Sequence, residues 1–326
     1  MATVLIKKDA TMFRPLLILV FLIFNAQAYS ATCPIKDLGE TELDCPWASI
    51  ARTLKLEKTE NEIIKALYKA VPILVEQLKQ DASRKELKAL WGQSINYDEY
   101  AKGTIVEPTT LAALATMAAV DFEDSRIVHA GLEHTYGYLF SLLRTPFGYK
   151  RARWVKDDIE TGFGLPRGAL GPSPVAGTLL TNITCFAGRI ALNDSLNKAV
   201  LEECERIAAP SVASFDFSKI SITRLEESLR VDRLVRLRTD FAFFPVQNNK
   251  LSALLVYSID DEAYAAPKLV TAFPVEQTFV DRAVDGKGLG SNRVIVTRYN
   301  AFVNGLTNSM KKLIGTRKAW MRTDHR

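Results

Sequence analysis

The side chains best suited to chemistry lie near the middle of the chain, in a segment that alternates large polar and apolar residues. The spacing predicts a strand over Ile127–Ser141. If residues 134–140 are extended, His134, Tyr136 and Tyr138 share one face, because side chains two apart in a strand point the same way. Histidine titrates near neutral pH, so His134 beside two phenols could move protons during a reaction.

A second predicted strand, Tyr149–Val155, returns alongside the first. The connecting residues, Arg144–Gly148, have proline early and glycine late, which is typical of a turn. On the return strand Arg151 and Arg153 share one face, and Trp154 lies on the other. Guanidinium groups at such a place could stabilise developing negative charge.

These residues lead to a hypothesis of hydrolysis. We predict a catalytic set with His134 as general acid or base, formed by His134, Tyr136 and Arg151. The predicted substrate-binding residues are Tyr138, Arg153 and Trp154. The expected substrates are cell-envelope or extracellular polymers, and we expect neither a metal nor another cofactor.

Two alternatives to this hypothesis stay open. Hairpins that mix tyrosine and arginine are also common as ordinary half-exposed sheet, where arginine stems cover aromatic rings. The same hairpin face would equally suit a non-catalytic periplasmic or secreted binding protein. The second alternative is supported by the small number of candidate catalytic residues, since the chain has three histidines in 326 residues.

The segment Gly162–Gly177 follows the hairpin and is rich in glycine and proline. Such a composition is not compatible with regular structure, and long loops in compact domains are often functional. Two interpretations stay open: a lid over the face that carries His134 and Arg151, or a connector that runs along the far side of the sheet.

Short motifs elsewhere do not support a known chemistry. Ser195–Lys198 has the serine-lysine spacing of penicillin-binding proteins, but the later motifs of that class are missing. His129 and His134 are five residues apart, a spacing that does not let them share a metal on a helix or on a strand. Gly286–Ser291 resembles a phosphate loop, but a predicted strand follows it instead of the required helix.

The N-terminus predicts export. Arg14 precedes the apolar run Pro15–Phe24, and the small residues Ala26 and Ala28 follow, which together are the parts of a secretory signal peptide. We therefore expect cleavage of residues 1–28 and a periplasmic or secreted product with no transmembrane segment after cleavage.

The four cysteines all follow this leader and favour disulfide bonds in an oxidising compartment. Pairing between sequence neighbours predicts the bridges Cys33–Cys45 and Cys185–Cys204. A zinc site is disfavoured, because the chain has no C-x-x-C motif and few histidines.

The overall charge does not by itself predict nucleic acid or an anionic membrane as a partner. A formal net charge of +5 over 326 residues is too small to predict nucleic-acid binding. The expected partner is an extracytoplasmic polymer or a small ligand, and the sequence leaves the oligomeric state open.

Helical periodicity dominates residues 29–120. Capping boxes at Thr59–Glu62 and Ser83–Glu86 predict two helix starts, with a kink or two abutting helices at Pro72. Glu107–Thr109 predicts the start of another helix.

The later part of the chain reads differently. Asn193 or Asp194 is predicted to cap a helix through Ile207, and Thr223–Glu226 to cap a short one. A β-meander is predicted over four segments: Leu234–Phe244, Leu251–Ile259, Leu269–Phe279 and Arg293–Val303.

The predicted fold class is α+β, with an N-terminal helical lobe packed on a mainly antiparallel β-sheet. The predicted division is a signal peptide at 1–28, a helical lobe at 29–120 and a β-rich α+β domain at 121–326. One continuous domain from residue 29 onward is the alternative.

Overall fold

The computed structural model describes most of the chain beyond residue 46. The described residues are 47–98, 101–121, 127–145, 148–151, 154, 158–172, 176–230, 234–248, 251–262, 266–285 and 301–302. The predicted signal peptide, Cys33, Cys45 and Arg153 lie outside these residues.

Helices form the first half of the molecule and recur between strands later. Their bounds are α1 Trp47–Leu54, α2 Glu60–Ala70, α3 Pro72–Ala82, α4 Lys85–Ala89, α5 Pro108–Ala118, α6 Ala130–Thr135, α7 Asp158–Phe163, α8 Leu179–Ala191, α9 Lys198–Ile207, α10 Pro210–Ala213 and α11 Gln277–Asp285. Short 3-10 turns cover Gly137–Phe140, Asn193–Ser195 and Phe217–Lys219.

The strands form antiparallel sheets. Their bounds are β1 Gln93–Ile95, β2 Ile127–His129, β3 Arg144–Thr145, β4 Gly148–Tyr149, β5 Ile222–Arg230, β6 Leu234–Asn248, β7 Leu251–Asp261, β8 Lys268–Glu276 and β9 Ala301–Phe302. The large sheet has the order β5-β6-β7-β8, the small sheet has the order β2-β1-β9, and β3 pairs with β4. This arrangement confirms the α+β prediction.

Helices α2 and α3 begin for the predicted reasons, whereas α4 does not. The Thr59 hydroxyl accepts the amide of Glu62, and the Glu62 carboxylate accepts the amide of Thr59, so the first capping box is confirmed. Pro72 starts α3 at its first turn, where the missing N–H is harmless, so two helices abut there. The second capping box is wrong, because the Ser83 hydroxyl donates back to the carbonyl of Gln80 at the end of α3.

The first strand of the predicted hairpin is largely helical. Of Ile127–Ser141 only Ile127–His129 is a strand, paired with β1, and the chain then turns into α6 and a 3-10 turn. The predicted turn Arg144–Gly148 does join two short paired strands, β3 and β4. His129 starts the helix by accepting the amide of Leu132 on its own side chain. Histidine is not among the usual N-cap residues, so no helix start was predicted at His129. The alternation of polar and apolar residues therefore led to the wrong prediction of a strand.

The central helix α8 is buried on all sides. Twelve of its thirteen residues are buried, all except Arg189. The predicted Cys185–Cys204 disulfide is confirmed and joins α8 to α9. Asn197, rather than Asn193 or Asp194, caps α9.

The meander is confirmed over β6, β7 and β8, with differences at its ends. Thr223–Glu226 starts no helix, because it belongs to β5, which pairs with β6 along nine residues. The fourth predicted strand is described only at Ala301–Phe302, and these residues pair with β1.

Two apolar cores lie on opposite faces of the large sheet. The larger core joins the helices to one face through residues such as Ala242, Leu254 and Ala272. The smaller core packs α11 on the other face through Val280 and Ala283. The larger core includes residues on both sides of the predicted boundary at 120, and that boundary stays a prediction.

Candidate functional site

Six charged or reactive side chains form one buried cluster between β1, α6 and the following 3-10 turn. Each is at most 3% exposed. We call them the buried cluster: Ser94, Asp98, Glu133, His134, Tyr138 and Lys150.

One half of the buried cluster is built around the Glu133 carboxylate. The Ser94 hydroxyl donates to Oε2 of Glu133, and His134 Nε2 lies 3.6 Å from the same oxygen. In serine-histidine-carboxylate triads the imidazole lies between the other two groups, so that it can take the serine proton. Here the carboxylate is central, so Glu133 rather than His134 is placed to receive a proton from Ser94.

The other half of the buried cluster is an ion pair beneath an aromatic ring. The Lys150 ammonium lies 2.7 Å from Oδ2 of Asp98 and 5.7 Å from the ring centre of Tyr138. Tyr138 in turn meets the His134 ring edge to face, with the centroids 4.7 Å apart. The Asp98 carboxylate also accepts the amide of Ala101 at 2.8 Å, which ties the pair to its loop.

The structure separates the predicted catalytic residues. His134 lies in the buried cluster, but the Tyr136 hydroxyl donates to Oδ2 of Asp81 at 2.5 Å. The Arg151 guanidinium donates to the carbonyl of Ser141 at 2.9 Å and stacks 3.9 Å from the ring centre of Tyr149.

The predicted substrate-binding residues face inward as well. Tyr138 is a member of the buried cluster, and the Trp154 indole donates to the carbonyl of His134 at 2.8 Å. Both side chains are buried. The structure therefore brings His134, Tyr138 and Trp154 together, without presenting them to solvent.

Asp81 joins three helices from the inside. Its carboxylate accepts the Tyr136 and Thr178 hydroxyls at 2.5 and 2.6 Å. Burial raises the pKa of Asp81 to about 6, although these hydrogen bonds favour the ionised form. Burial also raises the pKa of the Tyr136 phenol, which stays a hydrogen-bond donor.

Lys88 and His129 form a neighbouring polar contact. The Lys88 ammonium donates to the carbonyls of Ala82 and Ala118, the last residues of α3 and α5, where the helix dipole favours a cation. Burial lowers the pKa of this ammonium. His129 Nε2 lies 3.0 Å from the Lys88 carbonyl, and burial lowers the pKa of His129 to about 4.

Sequence reasoning missed Ser94, Asp98 and Asp81. Asp81 had a readable signal, because it follows Leu74 and Leu78 on the apolar stripe of α3 at helical spacing. A carboxylate on that stripe predicts a buried polar partner. Ser94 lies within a three-residue strand and Asp98 follows it, and neither carries a comparable signal.

The glycine- and proline-rich segment is organised by Glu160. The Glu160 carboxylate accepts the amides of Gly168, Leu170 and Gly171 at 2.9, 2.5 and 2.9 Å. Leu170 is buried, so the described part of the segment packs inward. Its role as a lid stays a prediction.

The large sheet carries a charged face beyond the end of α8. We call six residues of β5, β6 and β7 the charged face: Arg224, Glu226, Arg236, Arg238, Asp240 and Asp260. Arg224 Nε donates to Oδ1 of Asp240 at 2.7 Å, and burial raises the pKa of Asp240. Arg238 donates to Glu226 at 2.9 Å, which extends the ion pairs toward the edge of the sheet.

Two arginines share one carboxylate at the outer end of the charged face. Arg236 Nη1 lies 2.8 Å from Oδ2 of Asp260, and Arg238 Nη2 lies 3.9 Å from the same oxygen. Arg236 is 40% exposed. An arginine has five N–H donors, so the Arg236 guanidinium retains donors for a further acceptor.

Neither a metal site nor a membrane span is found in the part of the chain that the structure describes. Within those residues no group of three or more histidine, cysteine, aspartate or glutamate side chains is arranged to hold a metal ion. None of the described helices has the length and apolar character needed to cross a membrane.

Comparison with known proteins gives no match, whether to a family model, to a curated protein or to a solved structure.

Proposed function

We propose that this chain is a non-catalytic binding protein of an extracytoplasmic compartment, and that it holds acidic groups of an extracellular or envelope polymer on the charged face. The burial of the reactive side chains carries this proposal. General acid-base catalysis needs a group within hydrogen-bond reach of the substrate. His134 is 2% exposed and Glu133 is fully buried, so neither group is within reach of a substrate in solution.

The charged face carries as many carboxylates as guanidinium groups, so the proposed contact with an acidic polymer rests on Arg236, which is 40% exposed and retains N–H donors. Planar guanidinium groups match carboxylate, phosphate and sulfate with two parallel hydrogen bonds. Arg236 and Arg238 are already oriented by Asp260, so a ligand orders few side chains on binding.

The compartment is supported by the disulfide and by the leader pattern. Disulfides such as Cys185–Cys204 persist in oxidising compartments and are rare in the cytosol. N-terminal sequencing of the protein from its native host tests this part, and a mature chain that begins after Ala28 is the expected result.

Affinity electrophoresis in gels that contain polygalacturonate tests the binding site. We expect the polymer to retard the wild-type protein and Arg236→Ala to remove most of the retardation. Lys198→Ala is the matched control, since it removes one positive charge from the exposed surface of α9. Equal retardation of both variants, or none of the wild type, contradicts the proposal.

A hydrolase is the second candidate, because Ser94, Glu133 and His134 meet at one carboxylate oxygen. That function requires an opening of the cluster to substrate. Assays on peptidoglycan, glycans and chromogenic esters with wild type, Ser94→Ala and His134→Ala separate the two candidates. Activity that is lost in both variants while the fold persists favours the hydrolase.

A further inference from the structure

The two edges of the large sheet have different surroundings. At the β8 edge the Leu269 amide donates to the carbonyl of Leu90 at 2.7 Å, and the Leu269 carbonyl accepts the amide of Gly92 at 2.8 Å. At the other edge β5 pairs only with β6 among the described residues. Ile222, at the start of β5, is 40% exposed.

Hydrogen-bond alternation shows which backbone groups of β5 face outward. The Ser221 carbonyl accepts the amide of Phe243, its opposite residue in the pairing with β6. In an antiparallel pair hydrogen-bonded and non-hydrogen-bonded positions alternate, so the odd-numbered residues of β5 face β6. The amide and carbonyl groups of Ile222, Arg224 and Glu226 therefore point away from β6, toward the edge where the described residues supply no further strand.

We propose that two copies of this chain pair along β5, antiparallel around a two-fold axis at Leu225, so that their large sheets become one continuous sheet. Leu225 then lies opposite the partner's Leu225, and Arg224 lies opposite the partner's Glu226. The outward-facing groups of both strands meet in this register and form about eight backbone hydrogen bonds.

Charge complementarity selects this register. Within each chain Arg224 is paired with Asp240 and also donates to the carbonyl of Ala191, and Glu226 is paired with Arg238. Across the proposed axis the row reads Arg238, Glu226, the partner's Arg224 and the partner's Asp240, so the sign alternates at every strand.

Neighbouring registers fail on the same criterion. An axis at Glu226 places two carboxylates directly opposite, and an axis at Arg224 places two guanidinium groups opposite. Like charges directly opposite in a sheet are destabilising. Charges on an edge strand usually prevent pairing with another chain. Here Arg224 and Glu226 permit the alignment around Leu225 and oppose the two alignments whose axis lies one residue away.

The contact is small, so the dimer is expected to depend on concentration. Seven residues pair on each strand, and a patch of that size is below the roughly 800 Å² per partner of a typical stable interface.

Cysteine trapping tests the register on the full mature chain. In Leu225→Cys the two new thiols face each other at a non-hydrogen-bonded position, where Cα atoms lie about 4.5 Å apart and a disulfide can form. Thr223→Cys is the control, because its thiols lie four residues apart along the strands, about 13 Å. We expect a covalent dimer from Leu225→Cys and none from Thr223→Cys after mild oxidation, with peptide mapping to confirm the bond.

Sedimentation equilibrium gives an independent measurement without new thiols. Glu226→Lys places a cation opposite the partner's Arg224 and is expected to weaken self-association at least tenfold. Glu202→Lys on α9 makes the same change of charge at an exposed position away from β5, and it is expected to associate like wild type. Equal trapping of both cysteine variants, or a wild type that stays monomeric at every concentration, overturns the proposal.

Discussion

Asp81 and His129 are buried residues whose pKa values are displaced in opposite directions. Burial raises the pKa of Asp81 from 3.8 to about 6 and lowers that of His129 from 6.5 to about 4. Both ring nitrogens of His129 bond to backbone groups in the neutral form, with Nδ1 accepting and Nε2 donating. Each displacement corresponds to about 3 kcal/mol of stability that varies with pH.

Replacing Asp81 is expected to reveal its part of the pH dependence. The folded state holds the Asp81 proton more tightly, so this group stabilises the fold most below pH 4 and loses that contribution as the pH rises through about 6. Relative to wild type, Asp81→Asn should therefore gain about 3 kcal/mol between pH 4 and pH 7. Urea unfolding across that range measures the difference, and a constant difference contradicts the prediction.

The opposite slope is expected from His129. Its contribution is fully present above pH 6.5 and is lost as the pH falls through about 4. His129→Gln should therefore become more stable relative to wild type on acidification, by about 3 kcal/mol. In the wild type the pH-dependent contributions of Asp81 and His129 to the free energy of unfolding largely cancel between pH 4 and 6. The variant with both substitutions lacks both contributions, so its stability should again change little over this range in the same urea titrations.

The buried ion pair makes a separate prediction. Lys150→Met leaves the Asp98 carboxylate buried without its 2.7 Å partner, which should destabilise the fold by about 3–5 kcal/mol. Adding Asp98→Asn removes the uncompensated charge and keeps an oxygen for the amide of Ala101. The double variant should thus unfold at higher urea than the single one. The reverse order would show that an unpaired Asp98 carboxylate costs the folded state little.

At the scale of elements, α6 packs close to the ring of Trp91. A Cβ at Gly131 would lie 2.6 Å from Cγ of Trp91, whose indole donates to the Thr184 hydroxyl on α8 at 2.8 Å. Gly131 therefore sets the distance between α6 and the residue that connects α4 to β1. The turn of the chain into α6 depends on this small residue.

Two glycine-to-alanine variants test this contact. Gly131→Ala should destabilise the protein by about 1–3 kcal/mol, because the added methyl overpacks the ring. Gly188→Ala, in the buried helix α8, meets only Leu196 at 3.8 Å and should stabilise by about 0.5–1 kcal/mol. Thermal unfolding of both variants measures the contrast, and shifts of the same sign would refute it.

The disulfide between α8 and α9 has an expected contribution of its own. It spans a sequence separation of 19, for which loop entropy predicts about 3 kcal/mol. The variant with both Cys185→Ala and Cys204→Ala should unfold at correspondingly lower urea. An unchanged midpoint would show that the bridge does not constrain the unfolded chain.

At the scale of the whole molecule, the sequence predicted the fold class, the early helices, the meander and one disulfide. These features follow from local rules such as the Thr59 capping box and the position of Pro72. The predicted hairpin at His134 failed because a histidine cap and packing on Trp91 override the alternation. The predicted helix at Thr223 failed because nine residues of β6 offer a strand partner there.

The buried cluster was predicted only in part, for a physical reason. His134 and Tyr138 stood out by residue type, but their partners Ser94 and Asp98 lie some forty residues earlier in the chain. Contacts between residues this far apart depend on how β1 pairs with β2, which periodicity in a single segment does not encode.

The pairing of β9 with β1 has a consequence for the timing of folding. Ser94 pairs with Ala301, so the small sheet unites residues separated by nearly two-thirds of the chain. A chain made from its N-terminus exposes the outer edge of β1 until residues 301–302 have emerged. Contacts of such long range form slowly, because the chain loses the entropy of closing a long loop before the stabilising contacts form. Of the described strands, the last to be synthesised, β9, therefore completes the sheet that contains Ser94, and a product that stops before residue 301 leaves the β1 edge open to other chains.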